Sequence, residues 1–260
     1  MNRTWEFTDV EFAAAWEAIK EEYLPKPFVY TGSTELYDEH RQEKIDAWQR
    51  IRARWGHELE DVLASVVRPD IRVIIRGIDG RDAKNPKGSI RMLATRKGDN
   101  AYLIVQQPGE TIWHAAGFTL IEHEVLSLAD TVSAALPKVD AGKQADFEFA
   151  GQNNGAGMDY SYGRSKVQDL GDEQAKRTES FNRAPATTVG TIEVEQAQSR
   201  FGPRGISRFH LAWRDLVDDG RYVIVPGHPS TVVAADTRRL TGLINNQIAE
   251  VVRAIKDERV

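Results

Sequence analysis

Apolar positions along the chain change period several times, and each change predicts an element. Trp5 and Phe7 alternate with Glu6, as in a short strand. Thr8 and Glu11 then form a capping-box pair that starts a helix over 9–23, with Phe12, Ala15, Trp16 and Ile19 as its apolar face. Leu24-Pro25-Lys26-Pro27 ends it, because proline lacks an amide donor and restricts the residue before it. Trp48, Ile51, Trp55, Leu59, Val62 and Val66 recur at spacings of three and four, a helix over 36–66 that Gly56 bends or splits. A β-branched strand follows at 71–75, then a polar loop at 77–89 and a second strand at 90–95. That loop is too long for a tight hairpin, and such connections commonly carry contacts.

The later pattern contains a duplication. The first copy runs from Gly98-Asp99-Asn100 through strands at 101–107 and 111–116 into a helix at 120–136. The second runs from Asp218-Asp219-Gly220 through strands at 221–225 and 231–235 into a helix at 237–256. Ala-Tyr-Leu-Ile-Val at 101–105 matches Arg-Tyr-Val-Ile-Val at 221–225. The last helix carries a stripe of Leu240, Leu243, Ile244, Ile248, Val251, Val252 and Ile255, with Asp236 or Thr237 placed as its cap. Further strands are expected at 191–194 and 206–213. The expectation is an α/β (α+β) molecule with two halves, 1–137 and 191–260, sharing one sheet. Residues 138–190 read as a flexible, irregular connection holding one short helix.

Composition narrows the function. Charged residues are 28% of the chain and the net charge is −5, without the strong positive field of a nucleic-acid binder. Absence of cysteine rules out disulfides, thiolate metal sites and cysteine nucleophiles. No segment approaches the roughly 20 apolar residues needed to cross a bilayer, and the start lacks a signal-peptide pattern, so no membrane insertion and a cytoplasmic location are expected. The six histidines are isolated; His123 lies between Glu122 and Glu124, but helical neighbours diverge by about 100° and do not chelate one ion together. Gly151 to Gly157 does not fit a dinucleotide fingerprint, and no Gly-x-Ser-x-Gly elbow is present, although a Ser-His-Asp triad built from distant positions stays open. No metal, cofactor or catalytic set is expected.

The basic run Arg72, Arg76, Arg81, Lys84, Lys87, Arg91, Arg96 and Lys97 has two readings. One is an edge strand protected by charge; the other is a steering patch for an acidic protein partner. Trp16, Trp48 and Trp55 fall on helical core faces, whereas Trp113 and Trp213 sit on predicted strands with a groove-lining role open to each.

In their order these segments resemble the EspG family, cytosolic chaperones of actinobacterial type VII (ESX) secretion systems. The resemblance is carried by Trp5-Glu6-Phe7-Thr8, Glu11-Phe12, Trp16 and Leu24-Pro25-Lys26-Pro27, then by Arg200-Phe201-Gly202-Pro203-Arg204, Trp213-Arg214-Asp215 and Asp219-Gly220-Arg221-Tyr222. It implies a pseudo-twofold fold with a central, mainly antiparallel sheet and flanking helical bundles. It also implies a non-enzymatic chaperone that covers the apolar tip of a PE-PPE-type or other paired-helix secretion substrate and delivers it to the secretion machinery. The family's binding surface, carried over, would use the 77–89 loop, the sheet and the last helix. Contacts are then expected from Arg81, Asn85 and Lys87, from Trp213, and from Arg239, Asn246 and Gln247. Two alternatives stand beside this: a small-molecule-binding or hydrolytic α/β protein with a cleft between the repeats, and a self-associating homodimer.

Overall fold

The computed structural model describes residues 3–20, 23–32, 34, 36–149 and 166–259. The chain runs β1 (Thr4–Phe7), α1 (Asp9–Lys20), α2 (Tyr37–Val67), β2 (Ile71–Asp79), β3 (Ile90–Lys97), β4 (Asn100–Pro108), β5 (Ala115–His123) and α3 (Leu128–Ala135). It continues β6 (Phe147–Phe149), α4 (Lys166–Arg183), β7 (Ala186–Gln196), β8 (Arg208–Leu216), β9 (Gly220–Val225), β10 (Ser230–Ala234) and α5 (Thr237–Asp257). The described strands form one ten-stranded sheet in the order β1-β5-β4-β3-β2-β7-β8-β9-β10-β6. Every strand pair in it is antiparallel. Read inward from either end, the order has the same logic: a short lead strand, then four meandering strands, meeting where β2 pairs with β7. This is the pseudo-twofold α+β architecture expected from the duplication.

Alternation along the strands sends successive side chains to opposite faces, so each face needs its own cover. On one face Ile71, Val73, Ile75, Leu103, Ile192, Leu211 and Val223 pack beneath α3 and α5, whose Val132, Leu240, Ile244, Ile248 and Val251 are buried against them. On the other face α1 and α2 cover the first half: Phe12, Trp16, Ile51, Leu59 and Leu63 meet Ile104, Phe118 and Leu120. Phe12 stacks on Phe118 with ring centroids 4.2 Å apart. A smaller cluster under α4, with Phe147, Phe181, Tyr222 and Val232, serves the second half.

Local signals behave as expected where they are self-contained. Glu11 N donates to Thr8 Oγ1 and Thr8 N donates to Glu11 Oε2, the reciprocal capping box of α1. Asp236 caps α5 by accepting from Arg239 N. Gly56 interrupts α2 at φ 62°, ψ −150°, a conformation that glycine reaches without a Cβ penalty.

Other boundaries move. Residues 120–123 continue β5 instead of opening a helix, because Thr4–Phe7 and β4 pair with that segment on both sides. The helix that follows is only Leu128–Ala135. Trp113 lies in the turn before β5 and is 61% exposed. Strand β2 extends through Asp79, and β7 begins at Ala186 since it pairs along its length with both β2 and β8. Residues 138–190, expected to be irregular, hold β6, α4 and the start of β7. Gly151 to Gly157 lie outside the described residues.

Candidate functional site

The centre of the sheet has unequal cover. Helices α3 and α5 close one face, but on the other α1 and α2 sit over β5 and β3, and α4 over β6. Between them the faces of β2, β7 and β8 meet solvent. Register orders that strip into rows. Two rows carry charged or polar side chains: Arg72, Glu195 and Arg208, then Glu193 and His210 beside Ile74, which is buried at the edge of the core under α1 and α2. Arg208 Nε donates to Glu195 Oε2 at 2.8 Å, Arg72 Nη1 lies 3.6 Å from Glu195 Oε1, and His210 Nε2 lies 3.9 Å from Glu193. Pairing with Glu195 holds the Arg208 guanidinium above its ordinary pKa. Arg72, Glu195 and Arg208 satisfy one another.

The next two rows differ. Arg76, Thr191, Ala212 and Ile224 stand side by side, followed by Ile78, Val189 and Arg214. Together they line an open, mainly apolar groove, with Gly77, Gly190 and Trp213 at its floor. The groove lies beside the β2–β3 loop, where β2 ends.

That loop is built by Asp79. Its Oδ1 accepts from Arg81 N at 2.8 Å and Asp82 N at 3.3 Å, and its Oδ2 accepts from Asn85 Nδ2 at 2.8 Å. Asn85 Oδ1 in turn accepts from Lys87 N and caps a 3₁₀ turn at Pro86–Gly88. These bonds, first that from Arg81 N, hold the Asp79 carboxyl below its ordinary pKa of 3.8. A depressed carboxylate contributes stability that is complete above the unfolded value and lost as pH falls through the folded one. Acidification below 3.8 is therefore expected to release the loop. Hydrogen exchange at Arg81 N and Asp82 N should accelerate there in the wild type, while Asp79→Ala, which removes the acceptor, should exchange fast already at neutral pH; unchanged protection in that variant would contradict the assignment.

The motif residues near the end of the chain turn out to frame the groove. Trp213 is 1% exposed and belongs to the core under α5, where its indole lies across Gly190 and Gly77. It is therefore not a surface contact; register places its side chain on the covered face. Arg214 points the other way. Its Nη1 donates to the carbonyls of Phe181 and Asn182 at 2.7 and 3.0 Å, and its Nη2 to Ala184 at 2.7 Å, closing the C-terminal end of α4. Asp215 and Arg221 form a buried bidentate pair. Tyr222 Oη donates to Asp219 and accepts from Gln144 N at 2.9 Å.

The other sequence-expected contacts separate. Arg81 and Lys87 are exposed on the loop, with Asn85 half-buried in its capping role. Arg239, at the start of α5, is engaged by Asp146 at 2.5 and 3.0 Å and holds that carboxyl below its usual range. Asn246 and Gln247 lie on α5, the helix that covers the face opposite the groove. Hence the loop residues adjoin the groove and the α5 residues do not. Groove residues Ile78, Val189, Ala212 and Ile224 escaped sequence reading: alternation marks them as one face of their strands, but not whether that face is covered. The basic run also needs correction in one respect. Strands β2 and β3 are interior, flanked on both sides, so their arginines protect no edge. Among the described residues no group of three or more histidine, aspartate or glutamate side chains is placed to hold a metal ion, and no helix is long and apolar enough to cross a membrane.

Comparison with known proteins gives two findings. A family model described as the EspG family matches residues 8–246. Among solved structures, the chain is similar to the Mycobacterium tuberculosis type VII secretion system chaperone EspG5 in complex with the PE25-PPE41 dimer. Identity is 10%, with 95% of this chain and 96% of that chain covered at a TM-score of 0.54, a likeness of fold. No curated protein sequence matches.

Proposed function

The chain belongs to the EspG family, and from that premise we propose that it is a cytosolic, non-enzymatic chaperone of a type VII (ESX) secretion system. Its client is a PE-PPE-type heterodimer, whose apolar helical tip it covers before delivery to the secretion machinery. The observation that carries this reading is the apolar groove left open at the centre of one sheet face, between the helices that cover its flanks. An uncovered apolar strip between two helical layers costs solubility in isolation and gains about 25 cal/mol per Å² when a complementary surface closes it. Its polar neighbours, the Arg72–Glu195–Arg208 network on one side and the β2–β3 loop on the other, suit a rim that sets register. We assign the two halves as one binding unit, since the groove is built where β2 of the first meets β7 and β8 of the second. Arg81 and Lys87 are assigned as loop contacts.

Co-expression tests this. Candidate PE-PPE-type pairs from the same genome, expressed with this chain, should become soluble in a stoichiometric complex. Ala212→Arg, which fills the groove without touching the core, is expected to weaken that complex by at least about 100-fold, the scale of an unpaired charge at an interface centre. Should the cognate pair stay equally soluble alone, or bind Ala212→Arg unchanged, the role is wrong.

A further inference from the structure

Register places Arg76 of β2 directly opposite Arg91 of β3. Both belong to the groove face, since Ile75 and Met92 beside them point into the core under α5. Arg91 is only 8% exposed, and among the described residues neither guanidinium has a carboxylate or carbonyl partner. Burial first, and Arg76 second, lower the Arg91 pKa. The neighbouring arginines each have a partner: Arg72 and Arg208 pair with Glu195, Arg214 with the end of α4 and Arg221 with Asp215. Like charges directly opposite in a sheet destabilise it, and the Arg91 side chain is buried for most of its length with solvent as the partner of its guanidinium.

We propose that Arg76 and Arg91 form a receptor for a carboxylate side chain on the client, seated at the edge of the apolar groove. This rests on the chaperone reading and specifies its partner: a helix end carrying aspartate or glutamate beside leucine-like side chains. Charge complementarity selects the acid, because two planar guanidinium forks match a carboxylate in bidentate geometry. The apolar floor alongside, with Ala212 and Ile224 in the same row, selects the flanking residues.

Two fluorescent helical peptides, identical but for glutamate or glutamine beside a terminal leucine pair, are titrated into the full-length chain. The glutamate peptide is expected to bind about tenfold more tightly, in line with one charge-assisted hydrogen-bonded contact. Arg76→Gln and Arg91→Gln should each bring the ratio of the two peptides' affinities to about one, the readout being that ratio and not either affinity alone. Arg76 is exposed, so its variant reports even if Arg91→Gln folds poorly. Equal affinity of the two peptides for the wild type overturns the carboxylate receptor but leaves the groove intact. Unchanged binding of the glutamine peptide to Ala212→Arg removes the groove instead, and no saturable binding of either peptide removes both. The receptor is also overturned if a single-stranded oligonucleotide displaces the glutamate peptide at lower concentration than unlabelled peptide does, or if Arg76→Gln dissociates a homodimer in sedimentation.

Discussion

Asp215→Ala is expected to destabilise the fold by about 3–5 kcal/mol, the cost of leaving a buried charge without its partner. Asp215 and Arg221 face each other across the β8–β9 hairpin, 1% and 0% exposed. Arg221 Nε donates to Oδ1 at 2.7 Å and Nη2 to Oδ2 at 2.9 Å, so both carboxylate oxygens are used. The same Nη2 donates to the carbonyl of Pro137 at 2.9 Å, and the Arg221 amide donates to Asp140 at 2.8 Å. The pair therefore ties the segment after α3 to the second half of the sheet. Removing the carboxylate strands a guanidinium that solvent does not reach. Asp215→Leu combined with Arg221→Met removes both charges and should recover a large part of the loss, because two apolar groups need no partner. Equilibrium urea unfolding of the two variants decides it. A loss below about 1 kcal/mol for Asp215→Ala, typical of exposed pairs, would show that the pair is not desolvated in solution.

Trp213→Ala should cost a comparable amount, about 3–5 kcal/mol for a large core aromatic reduced to alanine. One row of the sheet explains the size. Gly77 pairs with Gly190 and Gly190 with Trp213, so two adjacent positions without side chains leave a trough that the indole fills. A Cβ added at Gly190 would lie 2.2 Å from the indole Cη2 and 2.5 Å from the Arg76 carbonyl oxygen. Gly190→Ala is thus also expected to destabilise, by about 1–3 kcal/mol of overpacking. The combination Gly190→Ala with Trp213→Leu should lose less than the sum of the single changes, since they remove and occupy the same space. Recovery is only partial, because the Arg76 carbonyl does not yield. Strict additivity in thermal or urea unfolding would count against the shared trough. The effect also reaches the groove, since the backbone of this row is its floor.

Much of this molecule was legible in the chain. Asp218-Asp219-Gly220 announced the β8–β9 hairpin, with Asp218 at φ 58° in the turn. Thr8 with Glu11 and the stripe from Leu240 to Ile255 announced α1 and α5, and the match of Tyr102 with Tyr222 announced two equivalent halves. Each of these signals is complete within a few neighbouring residues, so hydrogen bonding and periodicity act on it before the rest of the chain does. The arginine-rich run around β2 and β3 was visible too, but its meaning was not, because charge alone does not say whether a strand is central or at an edge.

Tertiary structure decided the remainder. Residues 120–123 became strand since β1 and β4 offered them ladder partners on both sides. Trp213 went inward because glycines on two other strands made room for it, and Arg76 met Arg91 because register put them opposite. The groove exists because α1, α2 and α4 cover the flanks of one face and leave β2, β7 and β8 bare between them. Local sequence sets what each segment prefers to be; which face is covered, and which side chains meet across it, depends on partners far along the chain that no local pattern contains.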